Sequence, residues 1–161
     1  MIAFDTNILL PALVKKHPNH KEARAFLEKH QHPKVCLCEL VLVETYVLLR
    51  NPATSPCPLT APEAGSIIRQ LRTHPHWRLI DYPGGLMHSI WELASQPGFA
   101  RRRIFDARLA QTLRHHGVTE FVTNNIKDFE GFGFASVCTA AAATCFSPSS
   151  AGRSAAATSL R

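Results

Sequence analysis

The sequence predicts an α/β protein whose central sheet is mostly parallel and has helices on both faces. Short apolar runs alternate along the chain with longer segments in which apolar residues recur at helical spacing. Parallel strands buried on both faces appear as continuous apolar runs, and the helices between them form the crossovers. No internal repeat is evident, and 161 residues suit one domain with a substantial core.

Strands and helices can be assigned in chain order from these patterns. The expected strands cover residues 2–4, 35–38, 77–80 and 121–123. The expected helices cover residues 8–14, 18–30, 39–50, 64–72, 86–94 and 103–116. Asn51-Pro52 should end the third helix, because proline disfavours helical geometry in the residue before it. Thr60 and Glu63 predict a capped start for the fourth helix, and Gly117 predicts the end of the last.

Composition narrows the class of protein and its compartment. The chain is 45% hydrophobic and 19% charged, as in soluble globular proteins, and its net charge of +6 is compatible with a polyanionic partner. Five cysteines without framework spacing argue against a disulfide scaffold. Asp5 interrupts the N-terminal apolar run too early for a signal peptide, and no run is long enough to span a membrane. We therefore expect a cytoplasmic protein.

The character of the chain changes after about Val137. Residues 139–161 are rich in alanine and serine, contain no acid and show little periodicity. We expect a globular domain over residues 1–137 and a poorly ordered tail over residues 138–161. A native tail, a frame slip and vector-derived sequence would all have this composition, so the sequence does not distinguish them.

Asp5 directly follows the first apolar run, so we expect it at the C-terminal end of a buried strand. In open α/β sheets, ligands bind outside these strand ends and next to helix N-termini. An aspartate there is a candidate metal ligand or acid–base group. The alternative is that Asp5 only caps the next helix, although Thr6 or Asn7 is the residue we expect in that role.

Two further acids, Asp106 and Glu44, share the apolar face of a predicted helix. Apolar residues follow Asp106 at three, four and seven positions, namely Leu109, Ala110 and Leu113. Apolar residues flank Glu44 at three and four positions on each side, namely Leu40, Val41, Val47 and Leu48. A dry, unpaired carboxylate costs several kcal/mol. Each acid should therefore meet a metal, a water-filled cleft or, as the alternative, an arginine in a buried ion pair.

We expect Asp5, Glu44 and Asp106 to converge, because parallel strands end on one side of the sheet and the helices that begin there bring their first turns to the same rim. Crowded carboxylates repel one another unless a cation lies between them, and oxygen ligands suit Mg²⁺ or Mn²⁺. This arrangement predicts metal-assisted hydrolysis of a phosphodiester. Arg101-Arg102-Arg103 precedes Asp106 and is either a contact for a nucleic-acid backbone or a solvated charge run.

With these residues in place, the chain resembles the PIN-domain family, and most of all the VapC-type toxin ribonucleases of bacterial toxin–antitoxin pairs. The segments that carry the resemblance occur in the family's order, at residues 2–7, 40–52, 103–107, 123–125 and 128–129. The resemblance implies a three-layer α/β/α fold and Mg²⁺- or Mn²⁺-dependent endonuclease activity on RNA. It also implies a homodimer and a small antitoxin that covers the active cleft.

The resemblance also implies roles for individual residues of this chain. The implied catalytic set is Asp5, Glu44, Asp106 and Asp128. The implied metal ligands are Asp5, Asp106, Asn125 and Asp128, with Asn125 or Asp128 as the fourth site residue. Thr6 and Asn7 match the polar pair that supports the first aspartate, and the proposed RNA contacts are Arg101, Arg102 and Arg103. Glu39 is assigned to a helix start rather than to the site.

Two other functions remain as alternatives. A phosphatase with an aspartate nucleophile would usually have a second acid two residues after Asp5, where this chain has Asn7. The second alternative is a catalytically silent PIN-like module that binds RNA or a protein. The retained acids argue against it, because carboxylates that face RNA phosphates do not favour binding. Members of the family tend to end with a short strand and an Asn-Pro-like sequence, whereas here Phe134-Ala135-Ser136-Val137 is followed by Cys138-Thr139-Ala140. The last strand is therefore in doubt. The RNA that is cut and the antitoxin's identity are not readable from the sequence.

Overall fold

A computed structural model of the chain describes residues 1–55 and 57–143. In this part of the chain, five parallel strands form one sheet with the spatial order β3-β2-β1-β4-β5. The strands are β1 (Ile2–Phe4), β2 (Val35–Cys38), β3 (Trp77–Ile80), β4 (Glu120–Val122) and β5 (Ser136–Cys138). The α/β class and the parallel sheet predicted from the sequence are therefore confirmed.

Helices cover the sheet in two groups. The first group is α1 (Thr6–Leu13), α2 (His20–Lys29), α3 (Glu39–Leu49) and α4 (Ala61–Arg72). The second group is α5 (Leu86–Ala94), α6 (Arg103–His115) and α7 (Ile126–Phe129). Helices within each group pack on one another. Because crossovers between parallel strands are right-handed as a rule, the reversal of strand order at β1 puts the two groups on opposite faces of the sheet. A short helix, α8 (Ala140–Ala143), returns to α2. None of the helices in the described ranges is long and apolar enough to cross a membrane.

Strand β1 lies at the centre of the sheet and marks its topological switch point. Ile2 pairs with Val35 of β2 on one side and with Glu120 of β4 on the other. The chain adds β2 and β3 outward from β1, and then crosses to the opposite side to add β4 and β5. Ligand crevices of open parallel sheets form where strand order reverses in this way, outside the C-terminal ends of the strands. In this fold that position lies between the ends of β1 and β4.

Burial in the hydrophobic core stabilises these short strands. All three residues of β1 and all four of β2 are buried, as expected for strands covered on both faces. Phe4 makes edge contacts with Phe26 of α2 and with Trp77 of β3. On the other side, Phe121 packs against Phe129 and Phe134. These contacts fix β1 and β4 as a rigid base for the residues at their C-terminal ends.

The structure confirms the predicted helices and strands but corrects several details. The side chain of Asp5, rather than that of Thr6 or Asn7, caps α1 by accepting a hydrogen bond from Thr6 N at 2.7 Å. Glu63 accepts the Thr60 backbone N–H at 2.8 Å, as the predicted helix start requires. Trp91, a large residue of a type that is usually mostly buried, is 57% exposed on the outer face of α5.

The C-terminal part of the chain keeps regular structure beyond residue 137. The last strand, which the sequence left in doubt, is present as β5 and pairs with β4 through Val122 and Cys138. Helix α8 follows it. Residues 144–161 lie outside the described part of the chain, so the domain boundary at 137 stays a prediction.

Candidate active site

Asp5 lies at the C-terminal end of the central strand and is almost completely buried, with 7% of its surface exposed. Its Oδ1 accepts the backbone N–H of Thr6 at 2.7 Å. Its Oδ2 accepts two further bonds, from Asn7 Nδ2 at 2.8 Å and from Thr123 Oγ1 at 2.7 Å. A buried carboxylate is tolerated only when its oxygens are satisfied, and these three donors meet that requirement. Asp5 therefore caps α1 and also lies at the switch point of the sheet.

Asn7 and Thr123 join the end of β4 to the start of α1. Thr123 is fully buried, and its Oγ1 accepts hydrogen bonds from Asn7 Nδ2 and from the Asn125 backbone N–H, both at 3.0 Å. Asn7 Oδ1 accepts the backbone N–H of Asn124 at 3.0 Å. Asn7, for which a supporting role was predicted, therefore belongs to a hydrogen-bond network that fixes the orientation of the Asp5 carboxylate.

Glu44 reaches the same place from α3, but not in the manner expected from its apolar neighbours. It is exposed rather than buried, because the Val43 and Val47 side of α3 faces outward. Its Oε2 accepts a hydrogen bond from Thr6 Oγ1 at 2.7 Å. The prediction that Glu44 shares a buried stripe is wrong, but Thr6 still links this carboxylate to the residue next to Asp5.

Asp106 and Asp128 approach from the other face of the sheet. Asp106 is half-buried in the first turn of α6, whereas Asp128 is exposed on α7. Partial burial raises the pKa of Asp106, and the negative charges of Asp128 and Glu44 raise it further, while Arg103 acts in the opposite direction. Asp128 and Glu44 are therefore both within electrostatic range of Asp106. The helices on both faces of the sheet therefore contribute acids to one region.

The negative charges of this region also act on Asp5. Its pKa is raised from 3.8 to about 6, chiefly by burial, although hydrogen bonds from Thr123 and the Thr6 backbone act to lower it. The charges of Glu44 and Asp106 add to the increase. Without a cation, Asp5 is therefore half-protonated near pH 6. A positive charge among these acids would reverse the effect and keep Asp5 ionised.

In the described part of the chain, no arginine lies within ion-pair distance of these acids. Within residues 1–55 and 57–143, the ion pairs closer than 4.0 Å are Arg24–Glu28, Arg72–Glu39 and His88–Glu92. The alternative in which Glu44 or Asp106 forms a buried ion pair with an arginine is therefore wrong. Glu39 is the first residue of α3, in agreement with its assignment to the helix start, and its Oε1 forms an ion pair with Arg72 Nε at 2.7 Å.

An open groove of about 270 Å³ runs beside Asp5. Its walls come from the start of α1, the loop that follows it, α3 and the segment after β4. The polar lining residues are Asp5, Thr6, Asn7, His17, Glu44, Asn124 and Asn125. The structure thus brings five of the predicted site residues into one groove. Neither Asp106 nor Asp128 forms its walls. The charge of Asp106 acts on Asp5, and the charge of Asp128 acts on Asp106.

The chemistry of the donor set fits a hard divalent cation. All of the predicted ligands, Asp5, Asp106, Asn125 and Asp128, offer oxygen atoms, which Mg²⁺ and Mn²⁺ prefer. In the part of the chain that the structure describes, no three His, Cys, Asp or Glu side chains are close enough to form a complete cation cage. Mg²⁺ usually keeps several waters and binds through one or two carboxylates, so an open arrangement is compatible with this ion.

The three arginines predicted to contact RNA, Arg101, Arg102 and Arg103, are exposed at the start of α6. The guanidinium of Arg103 lies over the ring of Phe132, 5.3 Å from its centroid. Arg103 also lowers the pKa of Asp106, which places its positive charge near the acids. The structure therefore puts the basic run beside the acidic region without showing what it binds.

Two residues at the site were not singled out as functional from the sequence. Thr123 belongs to a matched segment, but its direct bond to Asp5 depends on the pairing of β1 with β4, across a separation of 118 positions. His17 lines the groove from the loop between α1 and α2. A polar residue at the end of an apolar strand was a usable signal for Thr123, whereas the sequence around His17 gave none.

Comparison with known proteins places this chain in a family. A profile of the PIN domain matches residues 2–134. Ribonuclease VapC24 of Mycobacterium tuberculosis, strain CDC 1551, is 49% identical over 138 residues, which cover 85% of this chain and 94% of that protein. The same protein of strain H37Rv matches with the same figures.

Solved structures show the same fold. VapC20 of M. tuberculosis, described as a toxin that cleaves the sarcin–ricin loop, aligns with a TM-score of 0.65 at 20% identity over 83% of this chain and 96% of its own. A toxin–antitoxin complex from Klebsiella pneumoniae gives a TM-score of 0.56 at 20% identity over 87% and 98% of the two chains. The family profile and the 49% identity agree with this shared fold. The chain belongs to the PIN-domain family and is a relative of the VapC ribonucleases.

Proposed function

We propose that this protein is a metal-dependent endoribonuclease and acts as the toxin of a toxin–antitoxin pair. The observation that carries the proposal is the set of acids from both faces of the sheet beside an open groove. Their charges raise the pKa of Asp5 and Asp106, and no arginine of the described chain lies within 4.0 Å of them. A relative that is named as a ribonuclease, and that matches over 94% of its own length, supports RNA as the substrate.

The proposed cation is Mg²⁺ or Mn²⁺, held by Asp5 and Asp106 with Asn125 or Asp128 as the fourth site residue. When bound, it would activate a water molecule for attack and offset the negative charge of the scissile phosphate. In-line attack would leave a 5′-phosphate and a 3′-hydroxyl.

The protein's own residues have separate tasks in this proposal. Thr123 and Asn7 hold the Asp5 carboxylate in a fixed orientation through their hydrogen bonds. Glu44, held by Thr6 and exposed to solvent, completes the site or orients the attacking water. Arg101, Arg102 and Arg103 attract the RNA backbone, since they are exposed beside the acids and phosphate contacts supply sequence-independent affinity.

Partners and compartment follow from the same proposal. Fold relatives include a toxin–antitoxin complex from K. pneumoniae, and this supports a small antitoxin as the protein partner. A homodimer is the proposed oligomeric state, as the resemblance to the family implies. The proposed compartment is the cytoplasm, where RNA would be available to the enzyme.

The test is cleavage of a mixed RNA pool by the purified protein with Mg²⁺, with Mn²⁺ and with EDTA. We expect cleavage only with a divalent cation, fragments that carry 5′-phosphates, and loss of cleavage in both Asp5→Asn and Asp106→Asn. Cleavage that persists in EDTA or in both variants would contradict the proposal. RNA binding without any cleavage would favour the silent PIN-like module instead.

A further inference from the structure

His17 occupies a distinct position in the groove beside Asp5. The other polar groups that line this groove are carboxylates, amides and a hydroxyl, from Asp5, Glu44, Asn7, Asn124, Asn125 and Thr6. A phosphodiester that enters such a groove meets negative charge and needs hydrogen-bond donors on the wall. Among the lining residues that the structure describes, His17 alone carries an imidazole, and no lysine or arginine lies with it.

The loop that carries His17 is held in place on both sides. The backbone N–H of His17 donates to Val14 O at 2.9 Å, and that of His20 donates to His17 O at 3.0 Å. The ring Nδ1 of His20 lies 2.9 Å from Pro11 O, which ties the start of α2 to α1. His17 is half-buried, whereas its neighbours Lys15 and Lys16 are exposed. The imidazole is thus presented to the groove by an ordered turn.

A hydrogen bond within the turn determines which ring nitrogen of His17 is a donor. The backbone N–H of Asn19 donates to His17 Nδ1 at 3.1 Å, so Nδ1 is the acceptor and lacks a proton. In a neutral imidazole the proton is then on Nε2, which becomes a donor. His17 also forms no ion pair within 4.0 Å in the described chain, so the groove carboxylates do not occupy this donor.

We propose that His17 is a substrate-contacting residue that donates its Nε2–H to a phosphate oxygen of single-stranded RNA in the groove. The inference rests on the proposed ribonuclease function and deepens it, because it assigns the loop between α1 and α2 to substrate binding. Lys15 and Lys16 add positive potential along the same loop, which favours the approach of a polyanion. His17 binds the substrate and takes no part in the chemical step.

The competing explanation is that His17 only stabilises its turn, and the chain contains a matched control for this. At the opposite edge of the sheet, His74 Nδ1 accepts the backbone N–H of His76 at 3.3 Å, with the same spacing of two residues. His74 precedes β3 and does not line the groove. Asparagine keeps a side-chain acceptor for such a turn but is shorter than histidine and lacks its ring donor. The informative variants are therefore His17→Asn and His74→Asn.

The experiment measures binding of a fluorescently labelled, single-stranded RNA of mixed sequence in EDTA, where the proposed cleavage does not proceed. We expect His17→Asn to weaken binding by about tenfold, as for loss of a hydrogen bond to a charged group, and His74→Asn to leave binding unchanged. With Mg²⁺, His17→Asn should raise KM by a similar factor and leave kcat unchanged. Both variants should retain the wild-type circular dichroism spectrum.

The outcomes separate this inference from the proposed function. Wild-type protein that binds RNA without cutting it, together with weaker binding by His17→Asn, would support the inference and contradict the ribonuclease proposal. Equal binding by His17→Asn and the wild type would overturn the inference even if cleavage is robust. A fall in kcat at unchanged KM would also overturn it, because His17 would then act in the chemical step or on the arrangement of the acids.

Discussion

Two aspartates of this protein begin from the same local arrangement and end with different properties. Asp5 follows β1, and Asp81 follows β3. Each accepts the backbone N–H of the next residue through Oδ1, Asp5 from Thr6 at 2.7 Å and Asp81 from Tyr82 at 2.8 Å. The preceding strand and the local hydrogen bond therefore do not distinguish the two aspartates as candidate functional acids.

Their positions in the sheet separate them. β1 is central, so Asp5 is buried between neighbouring elements, accepts two further side-chain hydrogen bonds and lies in the field of Glu44 and Asp106. β3 is an edge strand, and Asp81 is exposed to solvent. The comparison shows that the local sequence does not decide the properties of these acids. The pKa of Asp5 is raised because its strand lies where strand order reverses and elements from both faces of the sheet meet.

The largest expected effect is on RNA cleavage. Asp5→Asn should lower kcat/KM by about 100-fold or more, because it removes the proposed central metal ligand, and even supporting groups of metal sites contribute 10- to 100-fold. Asp81→Asn should leave kcat/KM unchanged. The measurement is initial cleavage rates at saturating Mg²⁺. Equal losses in the two variants would show that the position in the sheet does not matter.

The next expected effect is on stability as a function of pH, measured by denaturant unfolding in EDTA. The folded state binds the Asp5 proton more tightly than the unfolded state, since its pKa is about 6 instead of 3.8. The free energy of unfolding should therefore fall as pH rises from about 4 to about 6, by at most ~3 kcal/mol.

The same two aspartates provide the controls for the pH experiment. Asp5→Asn should abolish most of this fall, whereas Asp81→Asn should retain it. Added Mg²⁺ should restore stability at neutral pH in the wild type, because a cation favours ionised Asp5. An identical pH dependence in the wild type and Asp5→Asn would contradict the role of Asp5 burial.

A smaller effect is expected from Thr123→Val, which keeps the shape of the side chain but removes its hydroxyl. The variant leaves the Asn125 N–H without its acceptor and should destabilise the protein by about 1–3 kcal/mol. It also removes a bond that lowers the pKa of Asp5, so this pKa should rise further and the pH profile of cleavage should move upward. The control is Thr112, a buried threonine of α6 whose hydroxyl donates to Arg108 O. Thr112→Val should lower stability and leave the pH profile of cleavage unchanged.

The smallest effect is expected at the basic run. Replacing Arg101 and Arg102 with glutamine should weaken RNA binding several-fold and reduce its salt dependence, because each phosphate contact contributes about one unit to the logarithmic salt slope. Arg24→Gln, an exposed arginine paired with Glu28, is the matched control and should have little effect. An unchanged salt slope after loss of both Arg101 and Arg102 would identify the run as a solvated surface.

Much of the fold was predictable because its signals are local. Buried strands such as Val35–Cys38 are continuous apolar runs, and the helix that ends before Gly117 has a clear apolar stripe. The candidate acids Asp5 and Asp106 were identified because each follows or interrupts an apolar pattern.

The errors arose where long-range packing decides the outcome. Val47 is 55% exposed although it lies at helical spacing from other apolar residues, so the apolar stripe around Glu44 did not imply burial. The bond between Thr123 and Asp5 depends on the pairing of β1 with β4. The last strand, β5, is held by its register with β4 and not by a distinctive sequence of its own.

The central claim is that Asp5, which follows β1, and Asp106 of α6 hold one cation at the switch point of the sheet. The most direct test is titration of the apoprotein with Mn²⁺, followed by the electron paramagnetic resonance signal of the free ion. The account predicts that Asp5→Asn and Asp106→Asn each weaken binding markedly, that the double variant is little worse than either single one, and that Asp81→Asn binds as the wild type does. Binding that survives either substitution, or that Asp81→Asn weakens equally, would contradict it.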